Sequence, residues 1–268
     1  KCYNIIMVKK HKKREYIFYY TCLLFGLSAI WLFVDHIVKF SYPDYFYEAN
    51  PGIKKYAGIN VVSAWADFSY FTYHTILLFA FWTIGLFVGF VSGNERIEGF
   101  FKHQALVVFV LSNYIVTTLL STVFELTSGN PTFGLYARTT KALHNFGTNI
   151  LGHYVFCAFT IVAAFLVDTK NQLHKKHIIA FLLYLLIYYV IVKLTGLYAY
   201  EIEWYPYPIF DGELLWNMFR LPSYTMWKGI CLLIGMDIFI AVAYVALLIG
   251  VKKILLFSKK ENKFSKSS

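Results

Sequence analysis

The stretch FSYFTYHTILLFAFWTIGLFVGFV, Phe68 to Val91, contains no lysine, arginine, aspartate or glutamate. At about 1.5 Å per residue, an α-helix of this length spans about 36 Å, enough to cross a hydrocarbon core of about 30 Å. Its apolar residues are continuous and do not alternate with period two, which predicts a membrane helix and not a strand of a closed barrel. Five further stretches have the same character: residues 16–34, 105–124, 149–167, 178–200 and 229–251. Composition agrees, with 58% hydrophobic and 20% aromatic residues and a mean hydropathy of +0.54, above what a soluble domain carries. The expected fold is all-α, a polytopic membrane bundle of six transmembrane helices.

Charge sets the expected orientation. The N-terminal segment, residues 92–104, residues 168–177 and the segment after 251 hold 17 lysines and arginines. The intervening loops hold 7, and Lys193 lies inside a span. The positive-inside rule then predicts both termini in the cytoplasm. A net charge of +10 would suggest nucleic acid in a soluble protein. Here the excess sits in cytoplasmic segments, where it matches anionic lipid, so no nucleic-acid partner is expected. The basic start, Lys9, Lys10, Lys12, Lys13 and Arg14, leads into a full span without a small-residue cleavage site, so the first helix reads as an anchor.

No internal repeat is visible. The expected organisation is one six-span domain over residues 1–257 with a disordered, Lys/Ser-rich cytoplasmic tail at 258–268. The 21 lysines against 4 arginines suit an AT-rich genome, and a bacterial plasma membrane is the expected location. Cys2, Cys22, Cys157 and Cys231 lack CxxC spacing, so free, buried thiols are expected. His174 and His177 flank Lys175 and Lys176, and two imidazoles beside two cations make a poor metal site. No metal or cofactor is expected.

Polar groups inside spans are costly and therefore informative. Running inward from the outer face, Thr72 lies about 6 Å and His153 about 6–8 Å below the outer ends of their helices. They share a layer. A hydroxyl in a membrane helix ordinarily bonds back to a carbonyl one turn earlier, and a histidine at the headgroup boundary is ordinarily packed there. The pairing at one depth is what lifts both above that background, because hydroxyl and imidazole are the minimum for nucleophilic acyl transfer. Asn149, one turn before His153, is placed to orient the imidazole or donate to an oxyanion. His74 points about 200° away from Thr72 around the helix. Lys193 and Asp237, about 10 and 12 Å deep, share another layer with opposite charge. Either they form an intramembrane ion pair or Lys193 snorkels to the interface.

Phe71-Thr72, the stretch from Asn149 to His153, Thr195-Gly196-Leu197-Tyr198 and Trp204-Tyr205-Pro206-Tyr207-Pro208 together resemble the androgen-induced protein family of membrane threonine hydrolases and its six-span bacterial relatives. The resemblance runs from the second to the sixth helix in order. It implies Thr72 as nucleophile and His153 as its partner, with esters of fatty acids and hydroxy fatty acids as the substrate class. The chain departs from the animal members after the threonine, where Tyr73, His74 and Thr75 replace an acidic residue. Thr75, one turn away, is a competing hydroxyl.

The expected function is a lipid-ester hydrolase at the outer leaflet, its substrate a membrane lipid or lipid-like molecule. The aromatic loop around Trp204, Tyr205 and Tyr207 would act as lid or interfacial belt. The alternative is a non-catalytic protein that binds or moves a lipid or ion, with Lys193, Asp237 and His153 as its polar cluster. No inverted repeat or broken helix supports a transporter. The sequence shows neither an oxyanion site nor an oligomeric state.

Overall fold

The computed structural model describes residues 2–40, 71–128, 147–169, 172–198, 213, 216–217 and 221–264. Its regular elements are α1 (Cys2–Phe40), α2 (Phe71–Ser92), α3 (Glu95–Phe101), α4 (Gln104–Ser128), a π-helical turn (Leu151–Val155) leading into α5 (Phe156–Leu166), α6 (Lys175–Tyr198) and α7 (Met226–Phe264). There is no sheet among the described residues. Among the described residues, six helices are long and apolar enough to cross a membrane: Lys13–Asp35, Phe71–Ser92, Gln104–Thr122, Gly147–Leu166, Lys175–Leu194 and Met226–Phe257. The backbone of α7 stays helical to Phe264, past the start of the Lys/Ser-rich segment.

The chain forms two compact units. One comprises Lys1–Phe33, Thr75–Gln172 and Phe257–Ser268, the other Val34–His74 and Leu173–Leu256. In the first, Phe79 stacks on Phe156 with centroids 5.0 Å apart and meets Tyr114 edge-on at 5.3 Å. Phe25 stacks on Phe159 at 4.0 Å. Because lipid tails are as apolar as these side chains, close packing and not water exclusion holds such helices together. Gly26 permits this between α1 and α2. A Cβ there would lie 2.5 Å from Ile84 Cγ1 and 2.7 Å from Thr83 Oγ1.

The same unit folds its short connection, residues 93–103, back onto α2. Gly93 takes a positive φ of 62°, open to glycine without penalty. Asn94 then caps α3, its Oδ1 accepting the backbone N–H of Arg96 at 3.0 Å and Ile97 at 3.4 Å. Gly85 and Gly89 leave room for α3: a Cβ at Gly85 would enter the Phe101 ring, and one at Gly89 would lie 2.9 Å from the Glu98 Cα. Trp82 Nε1 donates to the Phe101 carbonyl at 3.0 Å. Lys102 bonds Glu98 at 2.5 Å and lies 5.5 Å over the Tyr19 ring. Burial pulls the Lys102 ammonium down, but the hydrogen bonds to Glu98 and Tyr19 outweigh it and hold its pKa above the ordinary lysine value.

In the second unit, the first turn of α2 meets α6: Tyr188 lies edge-on to Phe71 at 5.3 Å and to His74 at 5.2 Å. Lys252 Nζ on α7 donates to the Leu173 carbonyl at 2.9 Å, tying down the entry to α6. The entry to α7 is closed by Lys228, whose Nζ donates to the Ser223 carbonyl at 3.0 Å and lies 5.7 Å over the Trp216 ring. Tyr224 packs on Gly229, where a Cβ would lie 2.8 Å from its ring. In the second and third spans half of the most apolar window is buried, against 11% in the fifth and sixth, a distribution suited to lipid contact. Cys22 and Cys157 are buried, as expected from their apolar surroundings, but Cys231 is exposed on this outward surface of α7 and corrects the expectation of a buried thiol.

Candidate functional site

His153 sits at the centre of the π turn. The Phe156 backbone N–H bonds back to the Leu151 carbonyl, five residues earlier, so one more residue is held in this turn than an α-helix would take. The turn is wedged in place by Gly152, where a Cβ would lie 3.1 Å from Leu32 Cδ2 and 3.6 Å from Ile76 Cδ1. Its backbone is also tied to α4: Thr118 Oγ1 donates to the His153 carbonyl at 2.6 Å. One residue on, the Tyr154 hydroxyl meets Thr122 Oγ1 at 3.1 Å. Thr122 gives its own proton to the Thr118 carbonyl at 2.8 Å, so Tyr154 is the donor. The His153 ring is half-buried, with Nδ1 inside the protein. Asn149 is half-buried in the helical turn just before.

These contacts expose a feature that hydropathy conceals. On α4, Asn113, Thr117 and Ser121 form one i, i+4 row, and Tyr114, Thr118 and Thr122 the adjacent one, a polar arc about 180° wide on an otherwise apolar helix. Sequence reasoning missed it, although the spacing in SNYIVTTLLST, residues 112–122, carries the signal. Thr75, the competing hydroxyl, is committed here: it is 1% exposed and shares a hydrogen bond with Thr117 at 3.1 Å.

Thr72 lies on the first described turn of α2, half-buried, in the unit formed by Val34–His74 and Leu173–Leu256, whereas His153 belongs to the other unit. Its hydroxyl makes no hydrogen bond to any described residue. The carbonyl one turn earlier, of Phe68, lies outside the described residues. Other threonines in the spans are engaged: Thr21 with the Ile17 carbonyl, Thr83 with Phe79 and Thr160 with Phe156.

No protein-family model matches the chain, and no match is found among curated proteins or solved structures.

The second polar layer contains a residue the sequence reading did not name. Asp237 on α7 accepts a hydrogen bond from the Tyr189 hydroxyl and feels the positive charge of Lys193. Tyr189 and Lys193 are one turn apart on α6, so both present to the same side. That spacing was the available signal for Tyr189. His177 Nδ1 accepts the His174 backbone N–H at 3.0 Å, so this ring caps the turn into α6. Among the described residues no group of three or more His, Cys, Asp or Glu side chains is gathered. Trp204, Tyr205 and Tyr207 lie outside the described residues.

Proposed function

We propose that this chain is an integral membrane lipid-ester hydrolase of the threonine type, akin to the family its motifs resemble, with both termini cytoplasmic and its site towards the outer leaflet. Thr72 Oγ1 attacks the acyl carbonyl while His153 takes the hydroxyl proton. The imidazolium then protonates the departing alkoxide, leaving the acyl group on Thr72. Water, deprotonated by His153, releases the fatty acid and restores the hydroxyl. Asn149 is the candidate orienting or oxyanion group.

The observation that carries this reading is the π turn at His153. Such turns are energetically poorer than the α-helix and recur at functional sites. This one is pinned through the backbone carbonyl of the histidine itself, which holds the main chain that carries the imidazole. The Thr72 hydroxyl, uncommitted among the described residues, is a second support. The test is labelling of the detergent-purified chain with a fluorophosphonate probe. Wild type and Thr75→Ala should form an adduct, and Thr72→Ala and His153→Ala should not. A folded wild type that does not label sinks the proposal.

A second reading has its own support in the Tyr189 to Asp237 hydrogen bond beside Lys193. A carboxylate, a phenol and an ammonium within a span are the components of an intramembrane proton or ion site. Under that reading the chain binds or moves a lipid or ion without catalysis. Loss of function on Asp237→Asn with Thr72→Ala tolerated would select it over hydrolysis.

A further inference from the structure

The bond from Lys252 Nζ to the Leu173 carbonyl, 2.9 Å long, joins one end of α6 to one end of α7. It sets the charged residues on either side of it near one another: Lys175 and Lys176 open α6 just after Leu173, and Lys253 follows Lys252 on α7. Lys175, Lys176 and Lys253 are exposed, and among the described residues none of their ammoniums has an ion-pair or hydrogen-bond partner. The first turn of α6 carries no acidic residue. Lys102 in the first unit shows the contrast, since Glu98 answers its charge within the chain. Where α6 and α7 meet, the counter-charge is left to what surrounds the protein.

Apolar surface continues from the charge on both helices. After Lys176, the residues Ile179, Leu183 and Ile187 follow at steps of three or four, which places them in one row along α6, and they are 58%, 51% and 57% exposed. Before Lys253, the residues Ile249, Ala246 and Val242 form a matching row along α7, all of them exposed. At about 1.5 Å per residue each row is about 17 Å long, close to half of a hydrocarbon core of about 30 Å. An ammonium at one end and a leaflet's depth of apolar side chains behind it match the polarity of a phospholipid, with phosphate at the ammonium and acyl chain along the row. The headgroup that suits the place is anionic, because a zwitterionic one brings its own cation to ammoniums that have no counter-charge.

We propose that the joined ends of α6 and α7 form a docking surface for an anionic phospholipid, with Lys175, Lys176 and Lys253 on its phosphate and the two apolar rows against its acyl chains. Lys252 contributes by holding the helix ends together through Leu173. The surface lies wholly in the second unit. It does not depend on the hydrolase reading.

The test is native mass spectrometry of the full chain in detergent, titrated with phosphatidylglycerol or with phosphatidylcholine of the same acyl chains. Wild type should hold phosphatidylglycerol about ten-fold more tightly. That comparison needs no variant, and equal affinities overturn the proposal. Lys175→Gln, Lys176→Gln and Lys253→Gln together should remove the preference, whereas Lys9→Gln, Lys10→Gln and Lys12→Gln, which take away the same charge elsewhere, should leave it. A preference lost equally in both triple variants reports net charge alone and overturns the site. Soluble glycerol phosphate at the same concentrations should not displace the lipid. Displacement would assign the ammoniums to a free phosphate and overturn the lipid as occupant.

Discussion

The Thr118 hydroxyl donates to the backbone carbonyl of His153 across 2.6 Å, joining the middle of α4 to the π turn. This bond connects a side chain on one span to the main chain of another. It therefore fixes both the rotation of the turn and its depth relative to α4.

Thr118→Val should therefore loosen the turn while conserving volume. The carbonyl would lose its side-chain donor, at a cost of about 1–3 kcal/mol. Thr118→Ser should retain most of the stability. Thermal unfolding of the three proteins in one detergent tests this, and equal melting temperatures would show that the bond contributes nothing.

Thr72→Ala and Thr75→Ala should part company in stability. Thr75 shares its hydroxyl with Thr117 in a buried pair, and losing it should cost about 1 kcal/mol. Thr72 has no such commitment among the described residues, so its alanine variant should melt with the wild type. A Thr72→Ala protein as destabilised as Thr75→Ala would mean that this hydroxyl is structural.

Gly26→Leu should be poorly tolerated. Even a single methyl at this position would meet Thr83 and Ile84, and overpacking of this kind costs about 1–3 kcal/mol. Folding yield and melting temperature report it, with Gly235→Leu as the control because nothing lies within 4 Å of a Cβ there.

The Lys102 contribution should depend on pH in one direction. Its pKa is raised in the folded protein, so its protonated form is the stabilising one. That stability is fully present below the unfolded lysine value of about 10.5 and is lost as the pH rises through the higher folded value. Wild type should melt above Lys102→Met at pH 8, and the gap should shrink above pH 10.5. A gap independent of pH would assign the difference to packing of the alkyl stem.

Tyr189→Phe and Asp237→Asn should be coupled. Removing either partner breaks the same intramembrane bond, so a double-mutant cycle on stability should show about 0.5–3 kcal/mol of interaction energy. A coupling within error of zero would leave the two groups as neighbours only.

The six spans were legible because an uninterrupted apolar run of twenty residues admits few other folds. Their ends were less so. Lys175 to His177 begin α6 although they are polar, since hydropathy finds where a helix meets lipid and not where its hydrogen bonds start. The fold-back of residues 93–103 was invisible because it depends on what Gly85 and Gly89 leave open on a neighbouring helix. The π turn was hidden for a similar reason: Leu151 to Val155 reads as ordinary helix to any argument built on a period of 3.6. The polar arc of α4 was masked by the aliphatic residues between its hydroxyls, although its spacing was there to be measured. Thr72, His153, Lys193 and Asp237 could be singled out because a polar group stands out against an apolar run. Tyr189 was not, since tyrosine is too common in this chain to draw notice.

A π turn holds one residue more than the α turn it replaces, and that gives residues 151–155 a particular tolerance. Deleting one residue there would leave a continuous α-helix of nearly the same length and hydropathy, able to span as before. The segments on either side would keep close to their present faces, because the extra residue is what the π turn absorbs, and the change would be confined to the turn itself. The local widening that presents the His153 carbonyl to Thr118 would be lost with the extra residue. A one-residue gap at this point in a related chain would thus preserve the span and abolish the geometry.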